Sequence, residues 1–466
     1  MEIVHSLREA IQRSPLKNDM RISFHHHLRM GDRVVAKVLA ELSDLGFKNL
    51  TLCVSSIMGE ACSAVYEAVQ AGVVSTIETT GMKEPLSTAV TRGDLANPVL
   101  FRTHGGRARA IEEGDTPIDV AFIAASVADY EGNLDGRIGK NAFGSMGYAI
   151  GDATHSSFVV GITDFLTDKP LETHSISKDF VDLVVLVDSI GDRELLSGGS
   201  LRSSRNPLEL LIAQKTLQVL QASGALQEGF NYQAGSGGIS LLVTTLLHNY
   251  MSEQKVVGGF ASGGITGSLV AMAKEGLFHT LWDVQSFDHE AVLSLATNSF
   301  HKEMSASLYA NPNNPDCIAQ QLDVMILSAT EVDVAFNVNS VTGTDGRILG
   351  ALGGGPDTAH GSKLTVVVLP SFRGRIPTIT PRLNALCTLG SDVDAVITER
   401  GIAINPSNEP LYQRILLAGI PTVSLEELMS RAHRFTGVPT LPKQSGSIVG
   451  IIEDPWGKER SKIFGV

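Results

Sequence analysis

The chain repeats itself. The run IDVAFIAASVADYEGNLDG from Ile118 aligns with LDVMILSATEVDVAFNVNS from Leu322, so that Asp119 meets Asp323, Asp129 meets Asp333 and Asn133 meets Asn337 at a constant spacing of 204 residues. The same spacing carries Gly72 to Gly276, and Val34, Val38 and Leu42 to Gly238, Leu242 and Leu246, while Asp182 and Asp394 match at a spacing of 212. Four elements agreeing in order point to two copies of one unit, which restricts the architecture more than any local propensity does.

Each copy follows one plan. A strand (Met20–Phe24; Glu228–Tyr232) leads through HHHLRMGD or QAGSGG into a helix with i, i+4 apolar spacing (Val34–Leu45; Ile239–Tyr250). A strand (Leu50–Ser55; Val256–Ala261) and a helix (Glu60–Ala71; Thr266–Gly276) follow, then further strands. This alternation predicts an α/β fold of mostly parallel sheets covered on both faces. Ser, Gly, Arg and Pro cluster at 197–210, so the boundary falls there, giving domains 1–205 and 206–466, with the tail from Pro439 as an edge strand.

Composition excludes several classes. The formal charge is −13 with no Lys/Arg-dense block, which argues against nucleic acid. Cys53, Cys62, Cys317 and Cys387 form no metal-type spacing and read as reduced cysteines. The N-terminus is an amphipathic helix without a signal-peptide core, and no apolar run approaches the ~20 residues of a membrane span. A soluble, cytoplasmic protein is expected.

In open parallel sheets, ligands sit beyond the carboxyl ends of the strands, so the loops there are the candidates. GALGGGPD at 350–357 opens the backbone through Gly353 and Gly354 and ends on Asp357; it suits a phosphate cradle or an oxyanion pocket. Gly235, Gly237 and Gly238 in QAGSGG stand at a strand-to-helix turn where amides favour anions, although the full dinucleotide motif is missing. Of His25, His26 and His27, alternate side chains point to opposite faces, which disfavours a shared metal and leaves one, taken as His26, facing substrate. His104, Gly105, Gly106 and Arg107 in RTHGGRARA, and Arg373 and Arg375 around Gly374, are candidate anion clamps beside solvated-turn alternatives. Gln285, Ser286 and Asp288 end a strand as polar contacts, and Glu399 is either a cleft carboxylate or a helix-start charge. No Gly-x-Ser-x-Gly elbow is present.

Taken together, the runs ISFHHHLRMGD, RTHGGRARAI, GYAIGDATH, DVQSFD, NVNSVTGTDGRILGALGGGPDTA, PSFRGRIPT and VITERGIAINP resemble the citrate lyase alpha-subunit family within the coenzyme A-transferases. The resemblance implies two tandem coenzyme A-transferase-like domains. It implies transfer of a carrier-protein thiol from acetyl to citrate, with release of acetate, inside an oligomeric assembly with an acyl-carrier-protein subunit and a citryl-lyase subunit. It also implies no permanently bound cofactor, only the CoA-like arm of the carrier (or acetyl-CoA) as substrate, and no metal on this chain. Related transferases carry a nucleophilic Glu where this chain has Phe287, and Phe forms no acyl-enzyme. The implied route is therefore a mixed anhydride of citrate and acetate, with Asp288 as the alternative nucleophile. The implied roles put Gln285, Ser286, Asp288, Gly353, Gly354 and Asp357 at the reacting centre. His26, His104, Gly105, Gly106, Arg107, Arg373, Arg375 and Glu399 would meet citrate, and Gly235, Gly237 and Gly238 the thioester arm. Gly355 and the CTLG run at 387–390 depart from the family pattern. Another acyl-CoA:carboxylate transferase or an acyl-CoA hydrolase remains open, as does an inactive ligand-sensing scaffold.

Overall fold

A computed structural model describes residues 2–197, 204–439 and 445–466. Two parallel sheets dominate it. In space the first runs Glu2–Val4, Leu183–Leu186, Val159–Thr163, Val120–Ala125, Arg21–Phe24, Leu50–Val54, Val74–Thr79, Val99–Phe101, then Ile448–Glu453 and Glu459–Phe464. The second runs His301–Glu303, Phe278–Ser286, Gly258–Ile265, Tyr232–Ala234, Val324–Ser328, Thr365–Val368, Ala395–Thr398 and Gly401–Ile404. Numbering the seven shared strands of each half in chain order, both sheets read 7-6-5-1-2-3-4. The topology thus carries the repeat seen in the sequence.

The strands are parallel apart from the hairpins that end each sheet. Val120–Ala125 is buried at every position, as a strand covered on both faces must be. The helices cover the sheets with the stripes their spacing predicts, such as Val34, Val35, Val38, Leu39 and Leu42 of Val34–Asp44. The first strand of the second half starts later than expected, at Tyr232, because Gly229 turns the chain at φ 80°.

The matching residues prove to be scaffold. Asp119 accepts from the Arg21 amide at 2.7 Å and Asp323 from the Asn231 amide at 2.8 Å. Asp182 and Asp394 do the same for Val159 and Thr365. Asp129 and Asp333 each hold a tight loop through backbone amides and the Asn four residues on. Gly72 and Gly276 both take left-handed φ, 71° and 78°, where a β-carbon is strained.

The domain division needs a correction. The boundary region 197–210 includes residues 198–203, which lie outside those described. More tellingly, 206–466 is not one unit. The tail is a hairpin, Ile448–Glu453 with Glu459–Phe464, whose inner strand pairs in parallel with Val99–Phe101 of the first sheet. Glu453 receives the Arg102 Nε at 2.7 Å, which clasps the tail to the N-terminal half. The halves also share a core, in which Ala108 and Tyr148 of the first pack with Phe260, Val284, Met304 and Tyr309 of the second.

Candidate active site

A cleft of about 800 Å³ lies between the halves, at the carboxyl ends of both sets of strands. One wall is the segment Gln233–Gly237, and another is Gly350–Gly355. Gly237 caps the helix Gly238–Gln254 without a side-chain hydrogen bond, which leaves that amide-rich terminus available. Glycine is required at two points of the second wall. Gly353 has φ 57°, and a β-carbon on Gly354 would overlap the Tyr309 phenol. The Gly353 carbonyl in turn accepts the His104 amide at 2.9 Å, so loops from the two halves meet there.

His26, His104 and Gln285 line the floor. His26 Nδ1 lies 2.6 Å from Ser55 Oγ, and its ring stacks on Tyr148 at 4.9 Å. Burial, with His104 adding, pushes His26 well below the ordinary imidazole range. Burial, with Arg107 adding, pushes His104 down to about 3. Both rings are therefore neutral at pH 7. Gln285 Nε2 donates to the His26 carbonyl at 2.8 Å, tying the second half's floor to the first. Arg373 stands at the rim and donates to the carbonyls of Ala329 and Thr330 at 2.8 and 2.9 Å.

Other sequence candidates lie elsewhere, because their polar atoms are already occupied. Arg107 is buried and bidentate to Asp152 at 2.7 and 2.8 Å, so its charge is already matched by a carboxylate of this chain; its Nε has no partner, but the residue does not line the cleft. Asp357 accepts from Thr103 Oγ1 at 2.6 Å and the Gly105 amide at 3.0 Å, so it staples one half to the other instead of facing the cleft. Gly105 is glycine because a β-carbon would overlap the Ala310 carbonyl oxygen, and Gly106 completes the helix cap on Thr103. Ser286 Oγ donates to buried Asp283 at 2.6 Å. Asp288 caps two helices, accepting from Ala291 at 2.9 Å and Gly267 at 2.7 Å, and it is not part of the cleft lining. Glu399 accepts the Ser371 amide at 2.9 Å and pairs with Arg400 at 3.2 Å. Arg375 is exposed and Gly238 begins its helix; neither lines the cleft.

The sequence reading passed over Arg29, which does line the cleft. It is 6% exposed and sits at φ 53°, a conformation that costs a non-glycine residue about 1–2 kcal/mol. Its Nε has no hydrogen-bond partner, and its guanidinium carbon lies 4.3 Å from the centroid of the Phe287 ring. Burial pushes it down to about 10, so it stays charged at neutral pH. The available signal was its place in the same strand-end loop as His26. Phe287 itself is seated on Gly264, where any β-carbon would overlap its ring. Among the described residues no group of three or more His, Cys, Asp or Glu is placed to hold a metal ion, and no helix is long and apolar enough to cross a membrane.

Comparison with known proteins is consistent along the whole chain. The family described as "Citrate lyase, alpha subunit (CitF)" matches residues 1–457. The citrate lyase alpha chain of Klebsiella pneumoniae is 42% identical over 451 residues, covering 97% of this chain and 89% of that one. A structure described as an alpha subunit of citrate lyase from Streptococcus mutans, solved in complex with citrate, superposes with TM-score 0.97 at 41% identity, covering 100% of this chain and 91% of that one. A 4-hydroxybutyrate CoA-transferase from Porphyromonas gingivalis shares the fold at TM-score 0.59 and 19% identity, covering 93% and 97%. With one family matched over residues 1–457 and the fold shared with a CoA-transferase, the chain belongs to the citrate lyase alpha-subunit family.

Proposed function

We propose that this chain exchanges acyl groups on a carrier thiol, turning an acetyl thioester and citrate into a citryl thioester and acetate. The observation that carries the reading is the family match over residues 1–457, joined to a cleft that offers an unpaired cation and two glycine walls. A citrate carboxylate oxygen attacks the acetyl carbonyl, and the carbon–sulfur bond breaks to give a mixed anhydride and a thiolate. The thiolate then attacks the citryl carbonyl, and the anhydride carbon–oxygen bond breaks to release acetate. No acyl-enzyme is needed, in keeping with Phe287 and the doubly hydrogen-bonded Asp288. The chain contributes orientation and amide donors for the two oxyanions; loss of one such donor typically costs ~10²–10³ in rate.

The glycine wall at Gly235–Gly237 would receive the pantetheine-like arm, which is long enough to need a cleft open at one end. The arm would be supplied by a carrier-protein subunit, and a lyase subunit would consume the citryl thioester. The reaction as written requires neither metal nor resident cofactor, and it fits a cytoplasmic multi-subunit assembly. A single turnover with citrate labelled by oxygen-18 in its carboxylates tests the route. The direct route puts a citrate oxygen into the first acetate released. Unlabelled acetate carrying an enzyme oxygen would overturn it, and acetate carrying a water oxygen would make the protein a hydrolase.

A further inference from the structure

We propose that Arg29 holds a non-reacting carboxylate of the acceptor and that Phe287 keeps this cation available, so that the pair favours acceptors with more than one carboxylate over monocarboxylates. This rests on the acyl-exchange reading and names the specificity element within it.

Buried arginines here come with counter-ions. Arg107 has Asp152, Arg102 has Glu78 and Glu453, and Arg109 has Glu113 and Asp115. Arg29 is as deeply placed, and it shares an unbonded Nε with Arg107, but unlike the other three it has no carboxylate within 4.0 Å among the described residues. A desolvated charge without a partner is unfavourable unless an anion arrives to meet it. The cleft is where that anion can arrive, since Arg29 lines it beside His26 and Gln285. The neighbouring His26 and His104 rings are neutral, so they do not compete as cations.

Phe287 explains why the cation stays free. Its ring supports the guanidinium at 4.3 Å through a cation–π contact, which leaves the N–H edge open for a planar, bidentate carboxylate. A carboxylate side chain at position 287 would reach the guanidinium and neutralise it. The residue that closes the acyl-enzyme route therefore also leaves a polyanion site. A tricarboxylate fills both this site and the reacting position; acetate has nothing to offer Arg29.

Initial rates decide the point, with the full chain and acetyl thioester, comparing citrate with degenerate exchange of labelled acetate. Arg29→Gln is expected to raise the citrate KM about 10- to 100-fold, the range for a hydrogen bond to a charged group. The thioester KM should stay within about twofold, and the citrate-over-acetate ratio of kcat/KM should fall with the citrate KM. Phe287→Glu should lose the same selectivity although Arg29 is still present, and Phe287→Leu should lose less. Equal losses for citrate and acetate in Arg29→Gln, or full citrate selectivity in Phe287→Glu, would overturn the proposal. If the wild type exchanged neither acid, the acyl-exchange reading would fail by itself. Calorimetric citrate binding, weaker in both variants or unchanged, would still decide the role of Arg29.

Discussion

Replacing Gly105 by Ala tests how tightly the two halves must meet. Gly105 lies in the first turn of the helix His104–Glu112, where helix propensity alone favours Ala by up to about 1 kcal/mol. Tertiary contact opposes this. The added β-carbon would overlap the Ala310 carbonyl oxygen, lie 2.5 Å from its carbon and 2.9 Å from Asp357 Oδ1. The nearest obstacle is backbone from the other half, so no rotamer change relieves it, and such overpacking costs about 1–3 kcal/mol. The clash outweighs the propensity gain, and a net loss of about 1–2 kcal/mol is expected. Gly151→Ala is the control. That glycine lies inside the helix Gly147–His155 with open space around its missing β-carbon, so Ala should stabilise by about 0.5–1 kcal/mol. Urea denaturation of both variants should show midpoints moving in opposite directions. Exchange activity should fall about 10²-fold in Gly105→Ala alone, because the displaced His104–Gly353 contact forms the cleft. A stabilised, fully active Gly105→Ala protein would refute this contact between the halves.

Further outcomes follow from the same contacts. Arg107→Ala should cost about 3–5 kcal/mol by stranding buried Asp152, with the citrate KM of the remaining folded protein little changed; a selective rise in that KM would return Arg107 to the binding site. Arg375→Ala should leave stability within about 0.5 kcal/mol and the citrate KM within about twofold, because the side chain is exposed and outside the cleft. Burial lifts the Asp357 carboxyl from 3.8 to about 7. Between those values the folded protein holds a proton that the unfolded chain has released, so this group makes stability fall as pH rises from about 4 to 7 and adds no slope above that, a change on the order of a few kcal/mol. Asp357→Asn should remove that slope from urea midpoints measured across the window, and an unchanged slope would place the carboxyl in a wetter setting.

The repeat, the strand–helix rhythm and the glycine loops were legible because each is written in local spacing. Apolar periodicity sets which face of a helix or strand is buried, and a glycine run dictates backbone freedom wherever it lies. The tail was not legible. The tail from Pro439 reads as an edge strand, but nothing local says that the strand it contains, Ile448–Glu453, belongs to the sheet some 350 residues earlier, beside Val99–Phe101. Nor could the sequence rank its arginines. Arg107 and Arg29 both stand near glycines shortly after a strand, and what separates them is what packing places across the guanidinium: the Asp152 carboxylate for one, the Phe287 ring for the other. Asp288 and Asp357 stand outside the cleft lining for the same reason, their oxygens accepting from backbone amides of other elements. Residue type and spacing state what a side chain is able to bind. Whether it is still free to bind depends on partners brought near by folding, and that is decided in three dimensions.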